Sequence, residues 1–397
     1  MSKSLILNSL EIRRFRCFRE LRIGRLGRVN LVIGKNNVGK STLLEALRLF
    51  ASPSSLAEII EILASRNEIF PVELEGWKRD NSHPIQVDNL FFGRRVTPGD
   101  EGEVLIGPAD LPEQTLRVSI EKRGRTYKAH DARYLEVGKP PGADTPYFVI
   151  FSRDTALTFR IGASSLSFMI EKPTGYAVPT GAGAEGIVVD PIAPVAAPLR
   201  TIPFYSIGPN GIGLTDMGKL WDQVSLSPLE RDVIDALRII SPEVDRVALK
   251  SSRDGSYGDI LSRDAATRIP FVKIESLEEP IPLRALGDGV NRLFGIALAL
   301  VHAKDGILLV DEIENGVHYS VQTDLWRLVF EMAARLNVQV FATTHSYDCI
   351  KTFEGAARES EQEGVMIRLA RKGDRTLIGE FDESELAIAV EGRIEVR

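Results

Sequence analysis

The residues Gly34-Lys35-Asn36-Asn37-Val38-Gly39-Lys40-Ser41, with Thr42 behind them, have the spacing G-x-x-x-x-G-K-[ST]. Glycines at both ends let main-chain N–H groups wrap a phosphate, and a helix starting at the end of the run adds its positive dipole end. In such a loop Lys40 reaches β- and γ-phosphates, and the Ser41 hydroxyl sits on Mg2+. The loop candidates are therefore Gly34, Asn36, Asn37, Val38, Gly39, Lys40, Ser41 and Thr42.

A second chemical run is Ile307-Leu308-Leu309-Val310-Asp311-Glu312, an apolar strand ending in two acids. Desolvating paired carboxylates there is costly unless a cation answers them. Asp311 would hold Mg2+, directly or through water, and Glu312 would orient or deprotonate an attacking water. The plainer alternative is a solvated strand end. A third run, Val338 to Ser346, ends in Thr343-Thr344-His345-Ser346. In a parallel sheet its end lies beside that of 307–310, at the ligand crevice. His345 would then hydrogen-bond a γ-phosphate or the lytic water; by type alone, a lone histidine is an ordinary surface or core residue.

Leu286-Gly287-Asp288-Gly289-Val290-Asn291-Arg292 feeds a helix over 288–303. The turn offers free N–H groups suited to an anion, through Gly287, Asp288 and Gly289; Asp288 reads equally as a plain N-cap. Gly208-Pro209-Asn210-Gly211-Ile212-Gly213 looks like a phosphate loop, but no Lys-Ser/Thr follows, and it reads as a turn.

These residues need a frame to hold them. Strands are expected at Leu5–Ile12, Leu21–Ile23 and Val29–Ile33, and helices at Thr42–Phe50 and 54–70. Short alternating runs from about 85 to 170 (Leu116–Glu121, Thr126–Ala129, Phe148–Phe151, Leu157–Ile161, Leu166–Ile170) predict antiparallel β structure. Residues 171–200 hold five Pro, four Gly and six Ala, and predict a loop or flap. A helix is expected over 216–240, then strands near 243–249 and 271–275. Helix and strand then alternate at Asp288–Ala303, Ile307–Val310, Tyr319–Leu336, Val338–Ala342 and Tyr347–Glu354, the pattern of a parallel sheet covered by helices. Strands Val365–Ala370 and Thr376–Phe381 and a short helix at 382–390 close the chain.

Composition bounds the partners. Of 397 residues 44% are hydrophobic and 26% charged, the mix of an ordinary soluble globular protein of two to three domains. No apolar run reaches membrane-helix length, so no membrane contact is expected, and the N-terminus lacks a signal peptide's apolar core. Cys17 and Cys349 read as free thiols in a reducing cytoplasm. The net charge of −6 argues against a globally basic nucleic-acid binder, yet Arg13, Arg14, Arg16, Arg19, Arg22, Arg25 and Arg28 share their stretch with one acid, Glu20. That patch is either a phosphate-attracting, possible DNA-contacting surface or a solvated strand edge.

The order phosphate loop, L-G-D-G, LLVDE, TTHS resembles the ABC-type ATPase heads of the SMC, RecF and OLD (overcoming-lysogenization-defect) groups within the AAA ATPases. The opening LEIRRFRCFRELRI…GRVNLVIGKNNVGKSTLLEAL looks like their N-terminus, and DEIENGVH like the D-E-x-E-x-x-x-H form of the OLD-like branch. The match covers residues 5–50 and 280–350, more loosely 85–120 and 216–250. It implies an α/β P-loop head with a mixed or parallel core sheet, an antiparallel β subdomain and a helical insertion. The expected parts are an N-terminal ATPase lobe (1–84), a β-rich part (85–206), an insertion (207–280) and a C-terminal ATPase lobe (281–397).

By the same resemblance the cofactors are ATP and Mg2+, bound by Lys40, Ser41 and Asp311, with Glu312 as catalytic acid and His345 as switch histidine. Leu286–Val290 takes the place of the signature that meets a second subunit's γ-phosphate, so a homodimer or higher homo-oligomer is implied. Gly287 replaces the usual signature serine; for a Q-loop only Gln86 and Asn89 offer themselves. The 248 residues from Lys40 to Asp288 are too few for a long SMC coiled coil. OLD-like nucleases carry a TOPRIM domain after this head; the 52 residues after His345 are too few for one. The implied activity is an ATPase that regulates a separately encoded effector, a nuclease or toxin, in bacterial anti-phage defence; the β-rich part and the Pro/Gly/Ala segment 171–200 are the expected docking surface. The alternatives are a RecF- or SMC-like DNA-repair ATPase and a nucleotide-sensing scaffold with little turnover.

Overall fold

A computed structural model describes residues 4–53, 55–68, 87–94, 102–122, 133–137, 147–161, 164–177, 200–239, 241–251, 268–382 and 385. The strands are β1 (Leu10–Phe15), β2 (Phe18–Ile23), β3 (Val29–Ile33), β4 (Val104–Gly107), β5 (Leu116–Lys122), β6 (Arg133–Val137), β7 (Tyr147–Ile161), β8 (Ser164–Ala177), β9 (Phe204–Ile207), β10 (Val244–Ser251), β11 (Arg268–Ile274), β12 (Ile281–Pro282), β13 (Ile307–Val310), β14 (Gln339–Thr343), β15 (Gly364–Lys372) and β16 (Arg375–Phe381). The helices are α1 (Lys40–Ala51), α2 (Leu56–Ala64), α3 (Leu214–Val224), α4 (Leu229–Arg238), α5 (Asp288–His302), α6 (Gln322–Leu336) and α7 (Tyr347–Glu359). Two compact units result: one of residues 1–10, 22–44 and 202–397, the other of 11–21 and 45–201.

The first unit is built on a sheet of order β16-β15-β3-β14-β13-β9. Every neighbouring pair is parallel except β15 with β16, an antiparallel hairpin at one edge. β3, β13 and β14 are buried along their whole length, as continuous apolar runs covered on both faces require. The core joins this sheet to α3–α7, with Leu293, Phe294 and Ile296–Leu300 of α5 and Trp326 of α6 fully buried. Register is the fact that matters for function. Val310 pairs with Ala342, and Thr343 with Val32, so the C-terminal ends of β13, β14 and β3 finish side by side. In a parallel sheet that edge is where ligands bind.

The second unit carries an antiparallel sheet of order β2-β1-β4-β5-β7-β6, with β8 paired to β7. The expected runs Phe148–Phe151 and Leu157–Ile161 are one long strand, bent by register shifts between Ile150 and Phe151 and between Ser152 and Thr155. Residues 171–177, expected as loop, belong instead to β8, whose Lys172, Pro173, Gly175, Tyr176 and Ala177 pair with β7. Residues 178–199 lie outside the described residues, as do the expected strand Thr126–Ala129, Gln86 and nearly all of the expected helix 382–390.

Further differences have local causes. The first strand is Leu10–Phe15 rather than Leu5–Ile12: Leu7 leaves the ladder, its N–H donating to the buried Gln339 side chain, which donates back to Leu7 O. The expected helix 216–240 is two, parted at Ser225–Pro228, where Leu226 is held at φ 62°. β9 was not expected from sequence at all.

The arginine run does not form one exposed strip. Arg16 is buried among Glu45 and Glu68, and Arg28 is buried, with Nη1 donating to Asn337. Arg13 pairs with Glu11, and Arg25 with Glu363 and Asp382. Arg19 and Arg22 are exposed. Among the described residues no helix is long and apolar enough to cross a membrane.

Candidate functional site

Gly34 follows β3 at φ 148°, a backbone position that L side chains rarely adopt. A Cβ there would lie 2.3 Å from Leu369 O of β15, so the loop must leave the sheet through a glycine. Asn37 (φ 65°) and Gly39 (φ 111°) complete the turn into α1, whose Leu43 N–H already donates to Gly39 O. The result is a loop curled over a helix N-terminus, with Lys35, Asn36 and Asn37 exposed and Val38 packed beneath. Lys40 Nζ folds back into it, donating to Gly34 O at 2.7 Å and Lys35 O at 3.1 Å. Burial pulls the Lys40 ammonium below its ordinary range, opposed by Asp311, Glu312 and Glu314, in that order. An ammonium held over a curled loop by carbonyls alone is ready to exchange them for phosphate oxygens.

Asp311 and Glu312 follow β13 directly. Ser41 Oγ donates to Asp311 Oδ2 at 2.8 Å, and the buried Thr343 hydroxyl donates to Asp311 Oδ1. Glu312 stands at φ 49°, unusual for a side chain of its size. Its N–H donates to Thr343 Oγ1 at 2.8 Å, and its Oε2 accepts from Asn315 Nδ2 at 2.6 Å. Strained backbone of this kind persists where surrounding bonds over-determine it. His345, just beyond β14, has Nδ1 at 3.7 Å from Glu312 Oε1 and 3.4 Å from Glu314 Oε1.

The residues singled out in the phosphate loop, at the end of β13 and after β14 thus converge. The glycine turn before α5 is built differently from expectation: the N-cap is Gly287, at φ 116°, not Asp288, which is the first helical residue. At that φ a glycine is the residue that fits without strain. Asn89 is buried in the second unit. Four contributors were missed. Thr343 orders both acids, and Glu314 is a buried carboxylate. Arg292 on α5 donates to Gly208 O and Glu312 O. The Gly208–Gly211 turn is indeed a turn, closed by Gly211 N–H on Gly208 O, but it also stands beside the site, because β9 pairs with β13. The apolar run Phe204–Ile207 before Gly208-Pro209 was the available signal.

Among the described residues no three His, Cys, Asp or Glu side chains gather as a closed metal cage. The donors present suit Mg2+ nevertheless. It binds through one or two carboxylates plus substrate phosphates, and the Ser41 hydroxyl and the Asp311 carboxylate, brought together here by a hydrogen bond of 2.8 Å, are the oxygens that would hold it.

A parallel sheet that delivers a glycine-rich loop, an acid pair and a histidine to one edge defines a P-loop nucleotide-binding ATPase fold. The matched families agree with this. Residues 6–91 match the family described as "AAA ATPase domain", and residues 223–348 match "AAA domain, putative AbiEii toxin, Type IV TA system". An "ATP/GTP phosphatase" of Helicobacter pylori is 22% identical over 380 residues, covering 90% of each chain. An uncharacterized protein of Methanocaldococcus jannaschii is 32% identical over 92 residues, 23% of this chain and 81% of that one. Among solved structures, the SMC head domain from Thermotoga maritima has a TM-score of 0.39 at 12% identity, covering 94% of this chain and 98% of that one. The Smc head domain from Pyrococcus furiosus, bound to the C-terminal domain of ScpA, has a TM-score of 0.45 at 9% identity, covering 98% and 99%. The chain carries AAA-family ATPase domains over residues 6–91 and 223–348 and is an ATPase.

Proposed function

We propose that this ATPase turns over ATP with Mg2+ at the edge formed by β3, β13 and β14, and that the site is completed by a second copy of the chain. The observation that carries the reading is the Ser41–Asp311 contact of 2.8 Å, which joins the phosphate loop to the acid pair from opposite ends of the sequence. Main-chain N–H groups of Gly34–Ser41 and Lys40 hold the β- and γ-phosphates. Ser41 and Asp311 hold Mg2+, which neutralises phosphate charge when bound. Glu312, oriented by Asn315 and by the Thr343 contact to its N–H, takes a proton from the water that attacks the γ-phosphorus, and ADP leaves. His345 presents Nε2 to the γ-phosphate or that water, since Nδ1 faces Glu312 and Glu314.

The turn at Gly287–Gly289 supports the second part: the Gly287 N–H is taken by Arg284 O, but the N–H groups of Asp288 and Gly289 head a long buried helix, the element that a partner's γ-phosphate would meet. Light scattering on Glu312→Gln with and without ATP and Mg2+ tests this. The reading expects monomers without nucleotide and dimers or larger with it; a strict monomer in both contradicts it.

The biological role we infer is control of a separately encoded nuclease or toxin in anti-phage defence, within the OLD-like branch. Its support is the D-E-x-E-x-x-x-H run from Asp311 to His318 and the mention of a toxin system in one matched family description. Metal-dependent DNA cleavage by the purified chain alone would contradict a separate effector. Direct DNA contact through Arg13–Arg28 draws less support, because Arg16 and Arg28 are buried and Arg13 and Arg25 are paired.

A further inference from the structure

Glu314 is the least expected residue in the first unit. Its side chain is 8% exposed, and Oε2 is buried without a hydrogen-bond partner among the described residues. Burying a carboxylate with one oxygen unanswered is costly, and such groups persist where nearby charge or a positioning task retains them. Both hold here. The positive charges of Lys40 and Arg292 reach it, each strengthened in turn by its negative charge. Its other oxygen, Oε1, does the positioning: it accepts the main-chain N–H of His345 at 3.2 Å and stands 3.4 Å from His345 Nδ1.

One oxygen thus meets both the backbone of His345, by a hydrogen bond, and its ring, by a 3.4 Å approach that is not aligned as one. The main-chain contact holds the turn between β14 and α7, while the Nδ1 contact sets the ring's rotation and the nitrogen left for a ligand. Glu312 is the other acid near Nδ1, its Oε1 farther away at 3.7 Å while its Oε2 accepts from Asn315. Cation charge reaches Glu314 from Lys40 at the start of α1 and Arg292 of α5, and the buried Cys349 thiol of α7 feels its negative charge too.

We propose that Glu314 is a positioning residue for ATP hydrolysis: it holds His345 with Nε2 toward the γ-phosphate position and so ties the end of β14 to the turn that follows β13. This rests on the reading of His345 as part of the hydrolytic site. It adds that the histidine is not self-supporting and that its effect passes through one buried acid.

A double-mutant cycle on steady-state ATP hydrolysis tests it, with His345→Ala, Glu314→Ala and the pair. Glu314→Ala should lower kcat by about 10–100-fold, as the loss of an orienting partner typically does. The KM for ATP should stay within about twofold, because the group does not hold substrate. The double variant should be no slower than the slower single one. Glu314→Gln keeps an acceptor for the His345 N–H and should recover most of kcat. Losses that multiply in the double variant, or a raised KM with unchanged kcat, overturn the proposal. Should Glu314→Ala fail to fold by circular dichroism, the cycle runs with Glu314→Gln, whose smaller kcat loss must vanish in the His345→Ala background; a loss that persists there overturns the proposal. An unchanged kcat in His345→Ala alone would instead sink the reading of the histidine, and this proposal with it.

Discussion

Arg292 Nη2 donates to the main-chain oxygen of Glu312 at 3.3 Å, from α5 to the residue that stands at φ 49°. The same peptide segment is gripped on its other side by Thr343 Oγ1. Glu312 is therefore held between the helix headed by Gly287 and the end of β14. Burial lowers the Arg292 guanidinium from its ordinary range, against the pull of Glu314, so the side chain is in place at a desolvation cost.

That arrangement has a direct consequence. Arg292→Ala should destabilise the protein by about 1.5–3 kcal/mol, the scale of a charged hydrogen bond lost from a part-buried site. It should lower kcat more than it changes KM, since Glu312 loses a restraint and the phosphate loop does not. Urea unfolding and steady-state kinetics on one preparation check both; wild-type kcat with a shifted KM would contradict the account.

The loop exit makes a second prediction. Gly34→Ala would put a methyl group 2.3 Å from Leu369 O at a φ of 148°. Strain alone should cost at least about 1–2 kcal/mol, and the displaced loop should lose ATP affinity with it. A variant with the wild-type unfolding midpoint and wild-type ATP binding would show that the loop does not need this exit.

In the second unit, burial pushes the Glu45 carboxyl above its ordinary range, against the opposing charges of Arg16 and Arg66. Glu45 Oε2 lies 2.8 Å from Arg16 Nε, yet the two are not aligned as a hydrogen bond, so desolvation outweighs the pairing. A carboxyl with a raised folded-state value keeps its proton where the unfolded chain has lost it. Its contribution is then full below the unfolded value of about 4.3 and lost as pH rises through the folded value. Glu45→Gln, which mimics the protonated form, should gain stability relative to wild type as pH rises across that interval. Unfolding midpoints of both proteins measured from acid to neutral pH give the answer; a gap that moves the other way contradicts it.

What sequence reading reached and what it missed follow from range. β3, the glycine loop and α1 are contiguous, so spacing alone located Lys40 and Ser41. β13 and β14 are uninterrupted apolar runs ending in polar side chains, and that contrast located Asp311, Glu312 and His345. Glu314 escaped because an acid two residues after Glu312 looks like more of the same solvated turn; only folding shows that Ile313 and Val317 carry it into the core. β9 was passed over because its one signal, a four-residue largely apolar run before a Gly-Pro turn, is too short to stand out until β13 pairs with it. Arg16 read as one charge in an exposed run, and its partners Glu45 and Glu68 are 29 and 52 residues away. Long-range pairing sets these features, and no local window contains it.

The central claim is that Glu312 activates water while Lys40 and the loop hold nucleotide. Single-turnover hydrolysis of ATP by Glu312→Gln, with equilibrium ATP binding measured on the same sample, tests it most directly. The account predicts near wild-type binding and hydrolysis slowed by about 10²–10⁴-fold, the usual contribution of a general base. It predicts the reverse emphasis for Lys40→Ala, in which binding itself fails. Hydrolysis by Glu312→Gln at the wild-type rate would contradict the assignment of the acid pair.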